Sequence, residues 1–210
     1  MTIFTSNGFA NAEIFSHAKA LSKRSLRKVA IIVSAVIPQK AGAPWVKNVY
    51  NFLTDQGIPV IDYIDIEFEK AGKLLDYDLL YFMGGNPYHL LHYCRERNLS
   101  AVLKECLGEH RIIIGRSSSS MVLSAGIRYV EEFNTILGFA NEYGSSVGPE
   151  QLAGLGLLDN YIFPHFSEFL QKVPDLDDRL TDIELRDNVG IIRLNDGEAI
   201  ISNEGELVFV

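Results

Sequence analysis

Residues 111–123, Arg-Ile-Ile-Ile-Gly-Arg-Ser-Ser-Ser-Ser-Met-Val-Leu, put a hydroxyl where it could act as a nucleophile. Ile112, Ile113 and Ile114 predict a short buried strand, and Met121, Val122 and Leu123 suit the start of a helix. Between them stand Gly115, Arg116 and four serines, Ser117 to Ser120. A sharp strand-to-helix turn with a serine among small residues can project its Oγ for attack. The usual pattern, Gly-x-Ser-x-Gly, is met by Gly115-Arg116-Ser117-Ser118-Ser119, with serine in place of the second glycine. Two other readings fit the same residues. A serine-rich N-cap would satisfy open amides, and successive N–H groups could cradle a phosphate. The phosphate reading ranks last, because the Gly-Lys-Ser/Thr ending of a P-loop is missing.

A serine nucleophile needs a base and an acid that orients the base. His165 follows the apolar run 161–163 and Pro164, at a predicted strand end. His89, His92 and His110 fall on or just after a predicted helix, away from such an end. A lone histidine beside an apolar strand is also commonly structural. Asp196 is either the acid or simply the turn residue before Gly197. Gly84-Gly85 is either a donor loop or a place where a helix approaches the sheet. Loop, serine and histidine nevertheless all fall at strand ends on one predicted edge.

The elements that must position them alternate. Strands are expected at 2–6, 29–33, 60–64, 79–83 and 111–115, and helices at 11–22, 45–55, 70–75 and 87–107. Such alternation implies a parallel sheet covered by helices on both faces, with ligands outside the carboxyl ends of its strands. Beyond residue 125 the pattern loosens: 127–133 reads as strand or loop, and 142–148 as a polar, flexible stretch. A strand is expected at 161–163, and the acidic 174–182 is expected to be partly helical. The tail alternates through 189–194, turns at Asn195-Asp196-Gly197 and continues through 199–202 and 207–210. Asp-Gly between two apolar runs signals a β-hairpin.

The composition is that of an ordinary soluble chain: 210 residues, 47% hydrophobic and 22% charged, enough for one sizeable core. A single domain over 1–210 is expected. The net charge of −8 argues against nucleic-acid or anionic-membrane partners, and an acidic substrate would need a local cationic pocket. No apolar run reaches membrane-span length and no signal-peptide pattern opens the chain, so a cytoplasmic location is expected. Cys94 and Cys106 are expected on one helix about three turns apart, as reduced, buried thiols. Nothing resembles a zinc site.

Four segments in order resemble the aspartyl dipeptidase (dipeptidase E) and cyanophycinase family of serine peptidases. They are Met83-Gly84-Gly85-Asn86-Pro87-Tyr88, Gly115 to Ser120, Phe163-Pro164-His165-Phe166 and Leu194-Asn195-Asp196-Gly197. The family's counterparts are a Gly-Gly-Gly-Asn-Thr-Phe-like loop, a Gly-x-Ser-Ala-Gly-Ala-like elbow, an Asn-Pro-His-Phe-like segment and a late acid-Gly turn. Cys94-Arg95-Glu96-Arg97 also resembles a helix segment of bacterial aspartyl dipeptidases. The fold implied is α/β, a three-layer sandwich of class I glutamine amidotransferase-like or flavodoxin-like type, with a mainly parallel sheet and a C-terminal β-hairpin.

The resemblance also implies roles. Ser117 would be the nucleophile, His165 the general base and Asp196 the acid that orients it, with Gly85 and Ser118 N–H groups as the oxyanion hole. Arg179 would hold a substrate's acidic side chain, Glu132 its α-amino group, and Asn86 would belong to the binding loop. Arg179 also reads as a surface residue among Asp175, Asp177 and Asp178, and the segment around Glu132 departs from the family pattern. Arg116 would bind a substrate carboxylate or pair with Glu131 or Glu132. Ser119 and Ser120 stand where the family has Gly and Ala, and a left-handed backbone at 119 would strain serine. The implied activity is hydrolysis of small peptides, with dipeptides carrying an N-terminal aspartate as leading substrates. The rivals are an inactive member that binds a small anionic ligand and an esterase or cyanophycin-type hydrolase. No metal or organic cofactor is required, and pairing of two copies as a homodimer is compatible with the sequence.

Overall fold

The computed structural model describes residues 1–9, 12–139, 149–203 and 205–210. Its elements are β1 (Thr2–Thr5), α1 (Ala12–Leu21), β2 (Lys28–Ile32), α2 (Pro44–Asp55), β3 (Val60–Ile64), β4 (Leu79–Phe82), α3 (Pro87–Glu96) and α4 (Leu99–Gly108). They continue with β5 (Ile112–Arg116), α5 (Ser118–Leu123), α6 (Val130–Leu137), β6 (Tyr161–Pro164), α7 (Phe166–Lys172), α8 (Leu176–Asp187), β7 (Ile191–Leu194), β8 (Ala199–Asn203) and β9 (Glu206–Phe209). A 3-10 turn, Ala71–Asp76, occupies the place of the helix expected at 70–75.

The main sheet runs β3-β2-β4-β5-β1-β8-β9. The strands from β3 to β1 are mutually parallel, while β8 and β9 are antiparallel. The continuous apolar runs reflect burial on both faces. Successive side chains point to opposite faces: Ile113, Leu80, Phe82 and Phe4 pack on one side, Ile112, Ile114, Tyr81 and Ile3 on the other. The first face is covered by α3, α4, α5, α6 and α8, and the second by α1 and α2. This is the expected α/β architecture, a mainly parallel sheet between helical layers. Among the described residues no helix is long and apolar enough to cross a membrane.

Three local expectations are corrected. The helix read over 87–107 is two helices, because Asn98 adopts the left-handed conformation (φ 52°) that asparagine tolerates. The break lets Leu90, Leu91 and Cys94 of α3 and Leu99, Leu103 and Cys106 of α4 meet the same core. Both thiols are buried and free, and burial pushes Cys106 up to about 11. The segment 127–133, read as strand or loop, leads into α6. Val130 and Phe133 are its buried residues, and Gly138 (φ 71°) terminates it. The Asn195-Asp196-Gly197 turn does not close a hairpin. β7 pairs in parallel with β6 in a separate two-stranded sheet, and the C-terminal hairpin is β8–β9. Local turn chemistry could not reveal this, because β7 finds its partner some thirty residues upstream. The stretch 142–148 lies outside the described residues.

At the carboxyl edge of β2 and β3, Lys40 Nζ donates to Asp65 and Glu67 at 2.9 and 2.8 Å. Glu67 also faces His89 Nε2 at 3.0 Å and accepts from Tyr93 Oη at 3.2 Å, which ties this edge to α3 and the Gly84-Gly85 loop before it. The Lys40 ammonium first, then His89 and Tyr93, hold the Glu67 carboxyl below its ordinary value of 4.5. A carboxylate with a lowered folded-state pKa stabilises the fold above its unfolded pKa, and that contribution is lost as pH falls through the folded value. Glu67→Gln is therefore expected to lower the thermal midpoint at pH 7, the gap to wild type closing below about pH 4.5. A gap that persists unchanged at pH 3 would contradict this.

Candidate active site

The ends of β4, β5 and β1 lie side by side in the sheet, so the residues just beyond each strand gather on one edge. After β4 comes Gly84-Gly85-Asn86, after β5 Ser117, and after β1 Ser6. Ser117 has φ 51° and ψ −122°, a strained backbone for a residue with a Cβ. The bend exists because β5 runs into α5 at very close range. A Cβ on Gly115 would lie 2.9 Å from both Cα and N of Ser120. The left-handed residue is Ser117, whereas Ser119 does not have a positive φ. The strain expected at 119 is thus located two residues earlier.

The additional serines are buried and bonded. Ser119 Oγ donates to Met83 O at 2.5 Å, and Ser120 Oγ is 2.8 Å from Gly115 O and 2.9 Å from Thr5 O. Thr5 N–H donates to Ser120 Oγ at 3.1 Å. These hydroxyls fasten α5 to the ends of β4, β5 and β1. Ser117 itself makes no capping bond, so the N-cap reading does not describe it.

Its Oγ instead lies 2.9 Å from His165 Nε2. His165 Nδ1 lies 2.7 Å from Asp196 Oδ1. The two partners meet because Pro164 of β6 is in register with Leu194 of β7, so the residues just past each strand emerge together. His165 has φ 59°, within the left-handed region that histidine enters more readily than most residues. The Asp196 turn is held from both sides: Gly197 N–H donates to Asn7 Oδ1 and Ser167 N–H to Asn195 Oδ1, each at 3.0 Å.

Ser6, which sequence reasoning did not single out, joins these groups. Its fully buried hydroxyl accepts from His165 N–H at 2.7 Å and donates to Asp196 Oδ1 at 2.5 Å. The one signal that could have exposed it is its position at the end of β1. Glu168 also approaches, so that His165, Glu168 and Asp196 each offer an atom within 4.8 Å of one another. Both His165 nitrogens have protein partners and Glu168 is paired with Lys172 at 2.6 Å, so the trio is accounted for without a metal.

Gly85 has φ 150°, and a Cβ there would sit 2.2 Å from Ala35 O, so only glycine fits. Its N–H donates to Ser118 Oγ at 2.8 Å. The Ser118 amide belongs to the first turn of α5, where no i−4 carbonyl is available. Asn86 caps α3, its Oδ1 accepting from His89 N–H at 3.0 Å.

The other candidate binding residues are placed elsewhere. Glu132 accepts a two-pronged bond from Arg186 at 2.8 and 2.9 Å. Arg186 also bonds Asp187, which accepts from Tyr129 Oη at 2.8 Å. The Arg186 guanidinium, with Tyr129, lowers Asp187 to about 2, and burial and this bond push Tyr129 up to about 12. The cluster pins α6 to α8. Arg179 pairs with Asp175 at 2.8 Å on the exposed side of α8. Arg116, alternating with Ser117, lies on the opposite face of the sheet, in a groove with Asn7, Phe9, Trp45, Asn48 and Phe52. It therefore pairs with neither Glu131 nor Glu132.

A mainly parallel α/β sheet with a serine at a strand-to-helix bend on its carboxyl edge is a setting in which a hydroxyl can be presented for reaction. The sequence model of peptidase family S51 matches residues 3–210, and the chain belongs to that family. It is 24% identical over 166 residues to the uncharacterized peptidase PM1590 of Pasteurella multocida (strain Pm70), covering 75% of this chain and 76% of that one. The fold is similar to the crystal structure of a protein provisionally designated peptidase E from Listeria monocytogenes EGD-e. That match has a TM-score of 0.74 and 20% identity, over 100% of this chain and 96% of that one. A peptidase from an acI-B1 Actinobacterium matches with a TM-score of 0.61 and 18% identity, over 100% and 86% of the two chains.

Because the elbow depends on a bare Cα at 115, Gly115→Ala is expected to cost about 1–3 kcal/mol in denaturant unfolding. Gly108→Ala, where an added Cβ meets nothing within 4 Å, serves as the control and is expected to cost far less. Equal effects would refute the close-approach explanation.

Proposed function

We propose that this protein is a serine-type peptidase that cleaves small peptides through an acyl-enzyme on Ser117. The observation that carries the reading is the chain of contacts Ser117–His165–Asp196, at 2.9 and 2.7 Å. With its ring proton on Nδ1 facing Asp196, His165 Nε2 is free to take the Ser117 proton as Oγ attacks the peptide carbonyl. The imidazolium then returns that proton to the leaving amine, and a water repeats the cycle on the ester. Asp196 fixes the tautomer and stabilises the cation. Ser6 holds both partners in place.

The oxyanion would be met by the Ser118 and Gly85 N–H groups. The Gly85 N–H is already taken by Ser118 Oγ, so this hydroxyl must rotate aside before both donors can act. Ser118→Ala is accordingly expected to raise kcat/KM about 2–10-fold, the value of one neutral hydrogen bond. A fall would mean that the hydroxyl itself serves the oxyanion.

Dipeptides with an N-terminal aspartate, the substrates the family resemblance implies, draw no support from the placement of Arg179, Glu132 and Arg116. The test of mechanism is fluorophosphonate labelling. It is expected to modify wild type and Ser118→Ala but not Ser117→Ala; an unlabelled wild type would favour the anion-binding protein without turnover. A panel of Asp-X dipeptides, p-nitrophenyl esters and β-linked Asp-Arg peptides separates peptidase from esterase and cyanophycin-type activity. Ser6→Ala is expected to lower kcat about 10–100-fold with little change in KM, as a lost bond to a charged partner would. Unaltered kcat would remove Ser6 from the positioning scheme.

A further inference from the structure

Beside Ser117 and His165 opens a cavity of about 300 Å³. Its walls come from α5, α6, β6 and α7, with Met121, Val130, Phe133, Leu137, Phe163 and Phe169 supplying the apolar surface. No Lys, Arg, Asp or Glu is among the described residues that line it. The aromatic side is ordered by ring contacts, Phe163 lying 4.8 Å from Phe133 and 6.0 Å from Phe169. Gly85 and Ser118, whose amides are the proposed oxyanion donors, border the same cavity. A carbonyl held by those amides would therefore direct the side chain of its own residue toward these walls.

Resting on the serine-peptidase reading, we infer that this cavity selects an apolar side chain, of leucine or phenylalanine size, on the acyl side of the scissile bond. A carboxylate placed there would lose its hydration and meet no cation among the described residues that line the walls. The cations around the site are engaged or distant: Lys172, whose Nζ lies 5.3 Å from the Phe169 ring centroid, is paired with Glu168. Arg179 is paired with Asp175, Arg186 with Glu132, and Arg116 is across the sheet. The polar side of the site adds two carboxylates of its own, Asp196 and Glu168, both close to His165. An acidic substrate side chain would meet like charge there. A cavity of this size lined by aromatic and aliphatic groups, with a few polar atoms at one end, suits a single apolar residue.

The test is a series of aminoacyl p-nitroanilides, in which the leaving group is constant and only the acyl-side residue changes. Leu and Phe derivatives are expected to exceed Ala in kcat/KM by roughly 10–100-fold, with Asp the poorest. Asn134→Arg places a cation at the cavity without removing an apolar wall, and is expected to improve Asp relative to Phe. Binding is read separately in Ser117→Ala protein, where Leu-Ala is expected to raise Tm more than Asp-Ala. An Asp preference in both assays overturns the inference. No turnover by wild type, with the Leu-Ala order retained in binding, overturns the peptidase reading and leaves the cavity's selectivity standing.

Discussion

The close approach of β5 to α5 is the constraint on which the site depends. Gly115 lets the backbone of Ser120 settle against the strand, and the chain must then turn through a positive φ at Ser117 to begin the helix. Strain of this kind persists only when the surroundings over-determine it. Here buried hydroxyls do so: Ser119 holds the end of β4, and Ser120 the ends of β5 and β1. The residues that depart from the family's Gly and Ala are thus structural fasteners. Gly84 contributes from the neighbouring strand end, since a Cβ there would press on Arg116 O and Ser117 Cβ at 2.9 and 3.0 Å.

Opposite this rigid elbow stands a second module. The parallel pair β6–β7 presents His165 and Asp196 from the ends of its two strands, and Ser6 bridges them to the main sheet. Contacts at 2.9, 2.7 and 2.5 Å link residues from four separate segments of the chain. Each backbone segment is in turn anchored by bonds of its own, so the geometry does not rest on side-chain conformations alone. Pre-organisation of that kind is what a nucleophile, a base and an orienting acid require.

The same architecture separates charge from the apolar cavity. Pleating sends Arg116 to one face of the sheet and Ser117 to the other. The cluster of Glu132, Arg186, Asp187 and Tyr129 fastens α6, whose apolar stripe then walls the cavity. Charged groups of types suited to an acidic or amino ligand are used instead to hold an apolar wall in place.

The amino-acid sequence by itself determined the alternating α/β pattern, the elbow at Ser117 and the strand-end positions of Gly85 and His165. Apolar runs, glycines and turn residues act locally, and periodicity displays them. It left undecided whether Asp196 was a turn residue or an acid, because that depends on β7 pairing with β6 rather than folding back as a hairpin. Ser6 carried only its strand-end position as a signal, since such a serine takes its meaning from partners 159 and 190 positions away. Arg116, Arg179 and Glu132 show the same limit: their types suited carboxylate or amine binding, but packing gave them other faces or other partners. Only the tertiary structure brings Asp196 and Ser6 beside His165 and sends Arg116, Arg179 and Glu132 elsewhere, because contacts between remote segments are set by how the layers close and not by local spacing.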